Sequence, residues 1–296
     1  MRENKGVYDN MYQPQKILPV KFKIFVKKIL WKYRELTWPL RKLPDFLVIG
    51  AMKSGTTSLY SYLIQHPQIS KPQKKEIYFF STNLYNKGIH WYRAHFPFQY
   101  SSNQLTFEAS TDYIFVPKAA ELIYRCLPDV KLILLLRNPV DRAISHYFHQ
   151  TQRYRERLSI LEALAYENNR IPSSKALMER VTNIQNYKKD PYIVFSYKSR
   201  GLYIEQVKKF LQYFPKERLF IVNSEKLYSQ PDYVMKQIYH FLGIESNYIV
   251  KDFTPKNVTS DSVKSYISED VYQYLNDYFE PFNRELYELI DHDFNW

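Results

Sequence analysis

The residues with the clearest chemical meaning are Gly50-Ala-Met-Lys-Ser-Gly-Thr-Thr57: a glycine, four residues, a second glycine and two hydroxyl residues. Backbone N–H groups in such a loop, joined to the N-terminus of a following helix, form a cradle for an anion. A nucleoside-triphosphatase loop carries lysine directly after the second glycine, where it reaches the β- and γ-phosphates. Here Thr56 takes that position and the lysine lies inside the loop, at Lys53. The pattern predicts a phosphate binder with its charge relocated, and it weakens an ordinary ATPase or kinase reading. Other chemically capable groups stand alone. Glu76, in PQKKEIYFF, reads by itself as a solvated carboxylate beside two lysines, and His66, before Pro67, reads as structural. No clustered metal ligands are visible.

Composition narrows the classes. The 296 residues are 45% hydrophobic and 24% charged, which is globular rather than disordered. Lys and Arg number 42 against 30 Asp and Glu, a net charge of +12 that favours anionic partners: phosphates, sulfated sugars, nucleic acid or an acidic membrane. Cys126 is the sole cysteine, which excludes an intrachain disulfide and a Cys-based zinc site; in ELIYRCLPDV it reads as a small buried hydrophobe. No stretch supplies the roughly 20 apolar residues of a membrane span, and the polar N-terminus lacks a secretory core. The expectation is a soluble chain made in a reducing compartment.

The loop must be held between a strand and a helix, and the pattern provides both. Asp45–Gly50 is a short apolar run, and Thr57–His66 has helical spacing. Further strands are expected at Gln104–Glu108, Lys131–Leu136 and Arg218–Val222. Helices are expected at Pro117–Leu127, Val140–Arg153, Ile160–Asn168, Leu202–Phe214, Tyr233–Leu242 and Glu269–Ile290. Alternating buried strands and helices predict an α/β fold, a mainly parallel sheet covered on both faces. Before it, residues 1–19 read as a flexible lead-in. Phe22, Phe25, Val26, Ile29, Leu30, Tyr33 and Leu36 mark one face of a helix whose other side is lysine-rich. That helix either lies on an anionic membrane or packs on the domain with its lysines solvated. Two units follow: residues 1–43, and one domain over 44–296.

Within that domain, Asp45–Leu59, DFLVIGAMKSGTTSL, resembles the 5′-phosphosulfate loop of sulfotransferases that use 3′-phosphoadenosine-5′-phosphosulfate (PAPS). A second family signature, a strand ending in Arg followed by a helix with Ser eight residues on, is matched by Leu132–Ser145. The similarity is closest to the heparan sulfate N- and 3-O-sulfotransferase branch. Lys75–Phe80, Lys87–Pro97, Phe107–Tyr113, Gly201–Tyr203 and the closing Asp-Phe-Asn-Trp296 all have counterparts there. The resemblance implies a P-loop-containing sulfotransferase fold.

It also implies residue roles. Lys53 would meet the bridging and 5′-phosphate oxygens, with Ser54, Gly55, Thr56 and Thr57 completing the cradle. Arg137 and Ser145 would clamp the 3′-phosphate, Arg supplying a planar donor fork. Glu76 matches the branch's catalytic glutamate and would be the general base. His149 matches a histidine of the N-sulfating relatives near the acceptor, and Tyr203 falls in a cofactor-contacting segment. Two departures stand out. Ala109 follows Glu108 where the branch often carries Lys, and Lys251–Val258 replaces a Gly- and Cys-bearing loop over the 3′-phosphate, leaving Lys256 as a substitute contact.

The expected enzyme moves a sulfuryl group from PAPS, without a required metal, to a hydroxyl or amine of an acceptor, an anionic carbohydrate. Its expected setting is cytoplasmic or peripheral at the inner face of a membrane, through the helix at 20–36, as in a bacterial-type or viral enzyme without an anchor. An ATP- and Mg²⁺-dependent phosphotransferase is one alternative. A nucleic-acid-binding protein is the other, suggested by charge alone and lacking base-stacking motifs.

Overall fold

The computed structural model describes residues 20–99, 103–174, 177, 181, 183–256 and 267–296. The lead-in expected at 1–19, and Asn257 and Val258 of the substitute loop, lie outside them. Five strands form one parallel sheet in the order β2-β3-β1-β4-β5. They are β1 (Phe46–Gly50), β2 (Ile69–Ser70), β3 (Leu105–Ala109), β4 (Lys131–Leu136) and β5 (Leu219–Asn223). Four of these correspond to expected strands within one residue at either end. β2, two residues long, carries no pattern of its own and exists through its pairing of Ile69 with Leu105.

Both faces of the sheet are covered, so β1 and β4 read as continuous apolar runs, while β3 buries Thr106 and Glu108 among its apolar residues. Alternation decides which side chain goes where. Leu47 and Ile49 of β1, with Leu132, Leu134 and Leu136 of β4, pack with α4 (Ala119–Cys126) and α7 (Tyr203–Leu211). Phe46, Val48, Ile133 and Leu135 pack on the other face with α2 (Thr56–Leu63) and α9 (Pro231–Leu242). A third cluster joins α5 (Pro139–Thr151) and α6 (Ile160–Ala165) to α10 (Glu269–Ile290) through Val140, Ile144, Leu164, Leu275 and Phe279. Leu134 is wholly buried at the sheet centre, where truncation to Ala would cost about 2–5 kcal/mol. Short helices that escaped the sequence pattern include α3 (Gly88–Arg93), α8 (Ser224–Ser229) and single turns at Ile184–Tyr187 and Pro191–Val194.

The order of the sheet matters for function. The chain reverses its direction of strand addition between β1, with β3 on one side, and β4 on the other. Ligands of open parallel sheets bind outside the carboxyl ends of the strands at such a switch point. The loops after β1, β3 and β4 leave from that edge.

The N-terminal helix α1 (Val20–Leu36) has no buried residue. Its inward side is fixed by Arg34, whose Nε donates to the Ala94 carbonyl at 2.7 Å and whose Nη2 donates to the Phe96 carbonyl at 2.8 Å. Trp31, on the same side, meets His95 and Trp91 at ring separations of 4.6 and 5.7 Å. Of the apolar arc, Tyr33 meets Phe98 at a ring separation of 6.3 Å, whereas Phe22, Phe25, Ile29, Leu30 and Leu36 are exposed, so most of the hydrophobic face is not packed on the domain.

Candidate active site

The loop after β1 turns on two glycines that no other residue could replace without displacement. Gly50 has φ 155°, and a Cβ there would come within 2.4 Å of the Ile114 side chain. Gly55 has φ 87° and would press a Cβ to 2.7 Å from the Tyr228 hydroxyl. Lys53 between them adopts φ 70°, an uncommon left-handed conformation for a residue with a side chain. The loop thus closes tightly onto the N-terminus of α2, whose first turn contains Thr56 and Thr57 with no acidic residue.

β4 ends beside it. Arg137 directs Nη1 to the Lys53 carbonyl at 3.2 Å and Nη2 to Asp141 at 3.6 Å. Asn138 caps α5 by accepting from the Val140 N–H at 2.9 Å, and Pro139 opens the helix. This cap sets the rotation of α5, which brings Ser145 and His149 to the same cleft, two turns and three turns on.

That cleft, about 1380 Å³, is where the two signatures meet. Lys53, Gly55, Thr56 and Thr57 of the first, Arg137 and Ser145 of the second, and Glu76, His149 and Lys256 all line it. Ser54 and Tyr203 do not. Ser54 is buried behind the loop, its carbonyl accepting from Ser224 Oγ at 2.9 Å. Tyr203 is also buried, and its hydroxyl donates to the Arg137 carbonyl at 3.0 Å, supporting the strand end from below. Lys256 reaches the rim, with its backbone N–H on Ser58 Oγ and its ammonium 3.4 Å from Asp252.

Electrostatics in the cleft are dominated by cations. Burial, followed by the neighbouring charges of Arg137 and Arg153, pulls the Lys53 ammonium below its ordinary pKa. An approaching anion would reverse that pull. His149 is lowered to about 4 by burial and then by Lys53, Arg153 and Arg155, so its imidazole is neutral near pH 7. Its Nε2 accepts from the Arg153 guanidinium, which occupies the nitrogen a proton acceptor would use.

Glu76 sits on a segment that the core holds from behind. The Lys75 carbonyl accepts from the Ala109 N–H of β3, the Ile77 N–H donates to Glu108 at 3.1 Å, and the Tyr78 N–H donates to Ser110 Oγ at 3.1 Å. Glu108 is fully buried. Burial raises its pKa, opposed by the hydroxyls of Ser110, Tyr92 and Tyr113 and the Ile77 amide. The Glu76 carboxylate itself accepts from the Tyr78 hydroxyl and lies 3.3 Å from the Lys75 ammonium. Tyr78, Lys75, Asp112, Arg153, Arg155 and Lys188 are cleft residues that sequence reasoning missed. Asp112 is held by a buried ion pair to Arg200 at 2.7 Å and by the Tyr187 hydroxyl at 3.0 Å. Among the described residues no group of three His, Cys, Asp or Glu is arranged to share a metal ion.

Comparison with known proteins agrees with this geometry. The model of the sulfotransferase domain family matches residues 43–285. The membrane-associated sulfotransferase kil1 of Dictyostelium discoideum is 30% identical across 86% of this chain and 66% of its own length. The heparan sulfate glucosamine 3-O-sulfotransferase 6 of Mus musculus is 29% identical across 86% of this chain and 74% of its own. The chain thus spans just under two thirds of the first relative and about three quarters of the second. A crystal structure of a sulfotransferase from Alicyclobacillus acidocaldarius superposes with a TM-score of 0.67 at 31% identity, covering 85% of this chain and 97% of that one. No helix among the described residues is long and apolar enough to cross a membrane. On the family match and the structural superposition together, the chain belongs to the sulfotransferase family.

Proposed function

We propose that this protein transfers the sulfuryl group of PAPS to a hydroxyl or amine of an anionic carbohydrate. The observation that carries the reading is a single cleft in which Lys53 and the helix start after it, the Arg137 and Ser145 pair, and Glu76 all converge. The loop fits the donor's 5′-phosphosulfate. Its glycines leave no room for a Cβ, it runs directly into the N-terminus of α2, and Lys53 is a half-buried cation whose perturbing neighbours are the cations Arg137 and Arg153. Arg137 and Ser145 would take the 3′-phosphate, the group that separates PAPS from ATP.

In the reaction the acceptor oxygen or nitrogen forms a bond to sulfur as the bond from sulfur to the bridging 5′-phosphate oxygen breaks. Transfer of this kind has a loose in-line transition state, so positioning and charge stabilisation carry most of the rate. Glu76 receives the acceptor proton. Lys53 and the amides of the cradle balance the charge that arrives on the leaving phosphate. His149, neutral and already accepting from Arg153, serves the acceptor as a contact rather than as a second base. Arg153, Arg155, Lys75 and Lys188 surround the acceptor end with positive charge, which supports an anionic chain as substrate. The heparan sulfate enzyme among the relatives supports a carbohydrate in that role. Membrane contact concerns a different surface, α1, and does not enter the chemistry of the cleft.

The test is incubation with PAPS and unsulfated, partly N-deacetylated heparosan in the presence of a chelator, with products read by mass spectrometry. The expected result is a mass increase of one sulfuryl group that disappears in Glu76→Gln. Phosphate transfer from Mg-ATP, or retention on nucleic acid with no sulfated product, would favour the rival classes instead.

A further inference from the structure

We infer that α1 is a docking element for an anionic membrane surface, lying flat with its apolar arc turned into the lipid. The helix has 17 residues, about 25 Å of axis, too short and too charged to cross a bilayer. Its rotation is fixed by the Arg34 and Trp31 contacts, which hold one side against the segment around α3. The opposite arc carries Phe22, Phe25, Ile29 and Leu36, and every one of them is exposed, Phe25 by 57% and Leu36 by 80%, while Tyr33 at its C-terminal end sits against Phe98. Such a continuous apolar surface on a water-facing helix marks a binding face.

The lysines decide what binds it. Lys21, Lys28 and Lys32 border the arc on one side and Lys23 and Lys27 lie toward the other, all exposed, with Glu35 the only acid on the helix. An apolar arc framed by lysines matches an interface of acyl chains beneath anionic headgroups. A second copy of the chain, docked arc to arc, would instead bring two lysine borders against each other. Trp31 does not take part as an interfacial anchor, because it is used to attach the helix to the protein.

The attachment also links this surface to the cleft. Arg34 and Trp31 hold the Ala94–Phe96 turn, the His95 carbonyl accepts from the Gln73 N–H, and three residues further on is Glu76. A bilayer bound to α1 would therefore lie beside the segment that carries the proposed base. The docking itself does not depend on the sulfotransferase reading of the cleft.

The experiment is vesicle co-sedimentation of the full chain, with phosphatidylcholine alone and with added phosphatidylserine, at physiological ionic strength. Wild type is expected to sediment with the anionic vesicles and to be released by high salt. Lys21→Gln/Lys28→Gln/Lys32→Gln should lower the partition coefficient about 100-fold, since each lysine near a charged surface contributes roughly fivefold. Phe25→Asp/Ile29→Asp should abolish sedimentation while leaving the thermal midpoint unchanged, because both side chains are exposed. The inference is overturned if wild type ignores anionic vesicles or if the Asp pair binds like wild type. It is equally overturned if light scattering finds a dimer that the Asp pair converts to monomer, since a second copy would then cover the arc.

Discussion

The two ends of the cleft are built in different ways. The donor end consists of two strand-to-helix junctions, β1 into α2 and β4 into α5, and its groups come from short stretches of chain. Backbone amides, a glycine turn and a helix cap supply most of its geometry. The acceptor end is assembled from side chains distant in sequence. Glu76 and Tyr78 come from the segment before α3, His149, Arg153 and Arg155 from the end of α5 and beyond, and Lys188 from a later turn. A cradle made of backbone tolerates little variation, whereas a wall made of side chains can change its substrate residue by residue. The donor is therefore a property of the fold, and the acceptor is a property of this particular chain.

The contrast is most exposed at Glu76 and Lys53, the two groups proposed to face the reacting atoms. Glu76→Gln should lower kcat by about 10²–10⁴-fold, the usual contribution of a positioned base, with donor affinity unchanged. Calorimetric titration of the donor product alongside the rate assay separates the two effects. Lys53→Ala should lower kcat by about 10²–10³-fold, the loss expected for one preorganised charge-stabilising group, while the acceptor KM stays near wild type. Equal losses in acceptor binding would mean that the two ends are not separable.

Tyr78→Phe removes the hydroxyl that holds the Glu76 carboxylate. A hydrogen bond to a charged group contributes about 1.5–3 kcal/mol, so the expected fall in kcat is about tenfold or somewhat more, with donor affinity again unaffected. The pH dependence of stability is subtler. His95 is lowered to about 3 and His149 to about 4, each first by burial and then by nearby cations. Both have folded-state values below the unfolded value near 6.5, so the unfolded chain binds more protons in between. Stability is then complete above about pH 6.5 and is lost as pH falls toward 3–4, with a slope of up to about 1.4 kcal/mol per pH unit for each histidine. Urea midpoints measured from pH 7 to pH 4 should decline accordingly, and His95→Gln should flatten part of the decline.

What the sequence disclosed follows the same division. Gly50–Thr57 and the Arg137 to Ser145 spacing were legible because each is local: a turn, a cap and a helix determine where the groups point. β1 and β4 were legible because a sheet buried on both faces leaves apolar runs. Tyr78 was not legible, since its hydroxyl matters only once Glu108 and Ser110 have pulled its backbone into place. Nor was the bond between Arg153 and His149, which requires the end of α5 to be known. Tyr203 belonged to a recognisable segment, yet its position under the Arg137 carbonyl depends on how α7 packs. For α1 the periodicity showed an apolar arc without saying which side would meet protein. The Arg34 and Trp31 contacts, made with residues some sixty positions away, decide it.

The central claim is that the cleft reads the 3′-phosphate of a sulfuryl donor through Arg137. Its most direct test is calorimetric titration with 3′,5′-adenosine bisphosphate and with adenosine 5′-monophosphate, both free of metal, on wild type and Arg137→Ala. The bisphosphate is expected to bind wild type far more tightly than the monophosphate does. Arg137→Ala should weaken the bisphosphate by about 10–100-fold and leave the monophosphate nearly unchanged, as loss of a charged hydrogen-bonding partner requires. Equal binding of the two nucleotides by wild type, or tighter binding of Mg-ATP than of the bisphosphate, would contradict it.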